Sequence, residues 1–409
     1  MIRVSFACLI FTLLVSAWQS ATAAVPMAEQ ILPNTTKGYI SIPDVEAFRD
    51  RWNATQLGKL MADPVMKPFA DDFRRQIREK FLKSRFNLNL TWDDLVQAAG
   101  GELCLAAIQP DNDPKQHAAA IVMDISGREE QANDLLDRIA AELKAQGAKR
   151  STKTIGDYEL VIHDLPRKKG ELEGDRVIRF LTQDLLVVSN HEEAGLDILK
   201  RLDSTDAKDN LEGLEAFREV MDQVADESGG AAPELRWFID PFDYAQVVRA
   251  SNRGPKKRRK DMLAILKNQG FDAIEGFGGF VHFSTDDHEV LHRSMVYAPA
   301  VDDSPERYRL AARMLNFPND QRWEWHDWIP RDLATAAGFR WKLQNAFEHC
   351  STMVDAVAGD EGFFDDLLSS IKNDPNGPRI SVRDEFVRLL VTRLEAAKMP
   401  VPFQSLTSQ

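Results

Sequence analysis

His288-Glu289-Val290-Leu291-His292 carries the residue types and spacing of a zinc-dependent hydrolase. On a helix, positions i and i+4 share one face about 6 Å apart, so His288 and His292 would ligate one metal and Glu289 would act as catalytic base. On a strand the same histidines share a face but stand about 13 Å apart, beyond the reach of a common zinc. Conformation therefore decides. The flanks, Gly278 to Ser284 and Arg293 to Pro299, are rich in β-formers, and the second closes on a proline. They favour a hairpin around Ser284-Thr285-Asp286-Asp287, against the helix that Ser284 or Thr285 followed by acids would cap. No H-E-x-x-H-x-x-G-x-x-H extension supplies a third ligand, which leaves Glu306 and Glu324 as candidates by default. Histidines on a hairpin are the favoured expectation, a metallohydrolase is the alternative, and no cofactor is expected.

Lys256-Lys257-Arg258-Arg259-Lys260 is a basic run inside an acidic chain. A solvated loop is the plain reading, and binding to a polyanionic wall or matrix component is the alternative. The run lacks interleaved aromatics, so no nucleic-acid partner is expected. Trp323, Trp325, Trp328 and Trp341 gather near His326, a pattern that plugs a domain junction more often than it stacks a sugar. Gly276-Phe277-Gly278-Gly279 precedes a strand rather than a helix and is no dinucleotide loop. Cys104 and Cys350 either form one disulfide or remain two isolated thiols.

The N-terminus reads as a signal peptide over residues 1–23. Arg3 precedes an apolar run from Val4 to Trp18, and small residues at Ala21 and Ala23 form an A-x-A site. The run is short of the roughly 20 residues that span a bilayer. The expected address is the periplasm or the cell surface, with no transmembrane segment in the mature chain. A formal net charge of −13 argues against nucleic acid and anionic membranes as general partners. With 409 residues, more than one unit is expected.

The elements read as an α+β fold with mixed or antiparallel sheets and packed helices. Gly38 to Ile42 is a strand ended by Pro43, and Asp44 caps a helix carrying Val45, Phe48 and Trp52. Pro64 opens a helix with Phe69, Phe73, Ile77 and Phe81 on one side. Thr91-Trp92-Asp93-Asp94 is a capping box, and residues 102–109 and 117–125 are strands. Residues 128–146 form a clear amphipathic helix stopped by Gly147. Strands follow at 158–164, 176–182 and 185–189, with a tight turn at Gln183-Asp184, and a helix at 191–202. A polar stretch at 203–213 suggests a boundary. A helix at 213–226, a strand at 235–239, a hairpin at 276–297, a helix at 304–315 and a strand at 333–341 complete the pattern. The units expected are 24–205, 206–327 with the hairpin, and 328–409.

The last unit resembles the first. Ile31-Leu32-Pro33 matches Trp328-Ile329-Pro330, Phe69 to Phe73 matches Phe363 to Leu367, and Leu90 to Asp94 matches Ile380 to Asp384, in the same order. This predicts a duplicated strand-helix-helix unit whose second copy is cut short.

The segments Leu32-Pro33 with Gly38-Tyr39-Ile40-Ser41, Trp52 to Gly58, Leu90 to Leu95, Gly100-Gly101-Glu102, Gln269 to Ile274, Leu291-His292-Arg293 with Val296 to Pro299, and Lys372 to Pro378 resemble a family of exported bacterial proteins of unknown function, best represented among planctomycetes. The resemblance spans most of the chain and implies export, without an activity. Within it His292 fits the family pattern better than His288 and Glu289 do. The expectation is a non-catalytic exported binding or structural protein that meets a component of the cell envelope or matrix.

Overall fold

The computed structural model describes residues 25–77, 88, 90–167, 174–202, 207–230, 232–251, 260–284, 289–301, 306–318, 329–330 and 341–387. The chain forms ten strands among the described residues: β1 Thr36–Ile42, β2 Leu103–Ile108, β3 Ala118–Asp124, β4 Lys149–Ile155, β5 Tyr158–Asp164, β6 Arg176–Leu181, β7 Leu185–Ser189, β8 Leu235–Ile239, β9 Gly276–Phe283 and β10 Val290–Tyr297. They form one sheet, in the order β10-β9-β8-β1-β2-β3-β7-β6-β5-β4. All its pairings are antiparallel. The fold is α+β, as its elements predict. The boundary expected near 205 falls between strands of this one sheet, because β8 bonds directly to β1.

The helices are α1 Ala28–Ile31, α2 Val45–Ala54, α3 Gln56–Ala62, α4 Lys67–Ile77, α5 Trp92–Ala98, α6 Glu129–Ala145, α7 Glu192–Leu202, α8 Glu215–Glu227, α9 Pro241–Ser251, α10 Met262–Asn268, α11 Leu343–His349, α12 Ser351–Ala358 and α13 Phe363–Asn373. Two cores result, one on each sheet face. Tyr39, Cys104, Phe180, Phe238 and Phe280 face α1, α7 and α8 through Ile198, Leu199, Phe217 and Val220. Leu103, Ile121, Met123 and Val188 face α5 and α6 through Leu95, Leu135 and Ile139. No helix among the described residues is long and apolar enough to cross a membrane.

Local signals account for many boundaries. Asp44 accepts the Ala47 N–H at the start of α2. Gly147 takes φ +84° just beyond α6, a conformation open to glycine at little cost. At α5, the Thr91 hydroxyl oxygen accepts the Asp94 N–H at 3.1 Å and the Asp94 carboxylate accepts the Thr91 N–H at 2.8 Å. Thr91→Ala removes this cap and is expected to cost about 1 kcal/mol. Urea unfolding measures it, and an unchanged midpoint would count against the cap.

Some elements depart from the reading of the chain. β4 is a strand with every residue but Ile155 exposed, so it shows no alternation. The helix expected at 304–315 is a 3-10 turn over Leu310–Leu315, entered with Leu310 at φ +46°. The strand expected at 333–341 lies outside the described residues except for Trp341, which is not in a strand. Of the repeat, α4 and α13 both form, and the Ser381 hydroxyl accepts the Asp384 N–H and donates to the Asp384 carboxylate, as the Thr91 hydroxyl does with Asp94. A π-helical turn follows Ser381, where an α-helix follows Thr91. The apolar stripe of α4 is not a core face: Phe69 and Phe73 are 58% and 51% exposed.

Candidate functional site

The hairpin that carries Glu289 and His292 is built on β9 and β10. Ser284 turns at φ 51°, and its N–H bonds the Glu289 carbonyl at 2.9 Å. His288 lies outside the described residues, with 285–287. Residues 290–292 are extended, so no helical turn runs from Val290 to His292. The Glu289 carboxylate accepts the Gln56 N–H at 2.7 Å, fastening the hairpin to the start of α3. His292 pairs with Val281, its ring 6.1 Å from Trp237. No group of three His, Cys, Asp or Glu among the described residues is placed to hold a metal ion.

The same end of β9 holds a histidine–carboxylate contact that spacing did not reveal. His282 Nδ1 lies 3.1 Å from Glu234 Oε2, which also accepts the Phe283 N–H at 3.0 Å. Phe283 meets Phe48 and Trp52 edge-to-face at 5.5 Å each, and this contact seats α2 on the sheet. Glu234 thus joins the β8 entry to the hairpin through packing and hydrogen bonds.

The remaining candidates are held elsewhere. Lys256, Lys257, Arg258 and Arg259 lie outside the described residues. Lys260 donates to the Val357 and Ala358 carbonyls at 2.5 and 2.9 Å, neutralising the C-terminal end of α12. Trp323, Trp325, His326 and Trp328 lie outside the described residues. The Trp341 indole N–H donates to the Met314 carbonyl at 2.7 Å, tying the chain before α11 to the 3-10 turn. Cys104 and Cys350 are free thiols, and burial pushes the Cys104 thiol well up, followed by the nearby Glu102 and Glu29 charges.

A buried charged cluster sits where α1 meets β1, β2 and β8. Arg236 Nη1 approaches Glu29 Oε1 at 3.0 Å, and Nη2 lies 3.9 Å from Glu102 Oε1. The Tyr39 hydroxyl donates to Glu29 at 2.8 Å. Glu102 accepts from the Ser41 hydroxyl and, at 2.7 Å, from the Ala28 N–H. Burial and the Glu29 charge push the Glu102 carboxyl up to about 7, against the Ser41 and Ala28 hydrogen bonds and the Arg236 charge. Every carboxylate oxygen here already has a partner within the fold, so the cluster joins elements and offers no free base. Its sequence trace is faint: a single charged residue in each of the runs Glu102-Leu103-Cys104-Leu105 and Leu235-Arg236-Trp237-Phe238.

The other structured feature is the rim of the sheet. β10 ends the strand order and, among the described residues, pairs only with β9. Beside it runs a groove of about 770 Å³, lined on one wall by Glu219, Gln223 and Glu227 of α8 and on the other by Arg293, Met295 and Tyr297. Burial does not protect this edge: Val290 and Val296 are 44% and 53% exposed. Compared with known protein families, curated proteins and solved structures, the chain matches none.

Proposed function

We propose that this chain is an exported, non-catalytic binding protein of the periplasm or cell surface, and that its binding site is the groove between β10 and α8. The observation that carries the reading is a strand edge with no partner among the described residues, set beside a groove, a geometry that receives polypeptide. The two carboxylates that would suit acid–base chemistry, Glu29 and Glu102, are spent on internal partners. The signal-peptide pattern of residues 1–23 supports export.

Two measurements test the reading. Fractionation with N-terminal sequencing is expected to find the protein outside the cytoplasm and beginning at Ala24; a cytoplasmic protein retaining Met1 would end the export reading. Metal analysis is expected to find sub-stoichiometric zinc, with added zinc leaving thermal unfolding unchanged in the parent, Glu289→Gln and His292→Ala. A ligand that binds only the native state must raise its stability. Stoichiometric zinc lost in His292→Ala would replace this reading with the metallohydrolase.

A further inference from the structure

We infer that the free edge of β10 accepts an extended polypeptide segment as an eleventh strand, and that this segment carries Lys or Arg at alternate positions. The inference rests on the binding-protein reading and specifies the partner's chemistry.

The backbone pattern defines what is on offer. Ser284 N–H bonds the Glu289 carbonyl, and the register then runs unbroken to Tyr297 opposite Gly276. In an antiparallel ladder, alternate residues point their backbone groups at the neighbour. Leu291, Arg293 and Met295 therefore bond toward β9, and Val290, His292, Ser294 and Val296 turn their N–H and C=O groups outward. An unpaired row of this kind is a template for another strand, and edges are commonly blunted with charge. The opposite edge follows that rule: β4 carries Lys149, Arg150 and Lys153. On β10 the fixed cation is Arg293, and it is tied to Glu227 at 3.4 Å.

The groove wall supplies the charge preference. Glu215, Glu219, Gln223 and Glu227 recur every four residues, which places them on one stripe of α8. Tyr297 donates to Glu215 at 3.0 Å at one end and Arg293 meets Glu227 at the other, so α8 runs antiparallel to β10. Glu219, between them, has no salt bridge among the described residues, and it lines the groove. A strand added about 4.8 Å outside β10 would present alternate side chains to this acidic stripe. The intervening side chains would lie beside Val290, His292 and Val296. A basic–apolar alternation satisfies both sides. A second copy of this chain does not, because a twofold β10–β10 pairing would face one acidic stripe with another.

The test is fluorescence anisotropy of the purified protein with a labelled Lys-Val-Lys-Val-Lys-Val-Lys peptide. Saturable binding is expected, with no binding of the Glu-for-Lys peptide. Methylating alternate backbone nitrogens of the probe, or placing Pro at its centre, is expected to weaken binding at least about tenfold at unchanged charge. Ser294→Pro deletes an outward N–H and leaves the β9 ladder intact; it and Glu219→Gln/Glu227→Gln are each expected to weaken binding about tenfold. If Ser294→Pro does not fold, the methylated probe reads the same contact on the parent protein. Equal binding of the Pro-interrupted or methylated peptide would overturn the inference, as mere charge attraction, and so would absence of binding. A dimer that Ser294→Pro dissociates would also overturn it, by giving the edge to a second copy. Cleavage of the peptide, read by mass spectrometry, would instead retire the non-catalytic reading and leave the strand contact to be judged on binding alone.

Discussion

Arg236→Met is expected to cost about 3–5 kcal/mol of stability at pH 8, and substantially less at pH 5. The side chain supplies the positive charge that faces Glu29 and Glu102 from β8. Its guanidinium also reaches the Tyr39 hydroxyl at 3.3 Å. Methionine fills a similar space, so the loss is of charge compensation rather than of packing. Two carboxylates would then share a buried site with no counter-ion, and removing one partner of a buried pair leaves the full desolvation cost of the other. Acid relieves that cost at Glu102, whose carboxyl burial already pushes up to about 7. Urea unfolding followed by tryptophan fluorescence at both pH values reads the effect. A loss below about 1 kcal/mol at both would mean the cluster contributes no more than a surface ion pair.

The second large effect is the pH dependence of the parent protein. Glu102 is held at about 7 in the folded chain, against 4.5 ordinarily. A carboxyl raised on folding makes the native state bind protons more tightly than the unfolded state. Its stabilising contribution is complete below pH 4.5, shrinks as the unfolded chain ionises, and is gone once pH passes about 7. Each tenfold change in proton affinity is worth about 1.4 kcal/mol, so the contribution totals about 3 kcal/mol. Glu102→Gln is expected to flatten this slope, because an amide can accept the Ala28 N–H and donate to the Ser41 hydroxyl without ionising. Should the variant keep the parent's slope between pH 5 and 7.5, the titrating group lies elsewhere.

These two residues mark the limit of reading the chain unaided. Signals confined to a few neighbours were legible: the caps at Asp44 and Thr91, the apolar face of α6, the turn after β6. The β9–β10 hairpin was legible too, because β-formers flank its polar turn. β4 escaped because an edge strand open to water needs no apolar period. The cluster escaped for a different reason. Glu29, Tyr39, Ser41, Glu102 and Arg236 come from four separate elements, and only the sheet order brings β8 beside β1. In one dimension each is an ordinary polar residue. Their meeting is a property of long-range pairing. Likewise, the groove depends on α8 packing along β9 and β10, which no local spacing records.

The central place of β1 also has a kinetic consequence. Its two neighbours are β2, some sixty residues onward, and β8, roughly two hundred residues onward. At a ribosomal rate of about 5–20 residues per second, β1 exists for on the order of ten seconds or more before β8 has been made. Until then the future middle of the sheet is a rim, with Tyr39 and Ser41 awaiting Phe238 and Arg236. Pairing across so long a separation is intrinsically slow, so the closing of β1 by β8 is expected to fall late in folding.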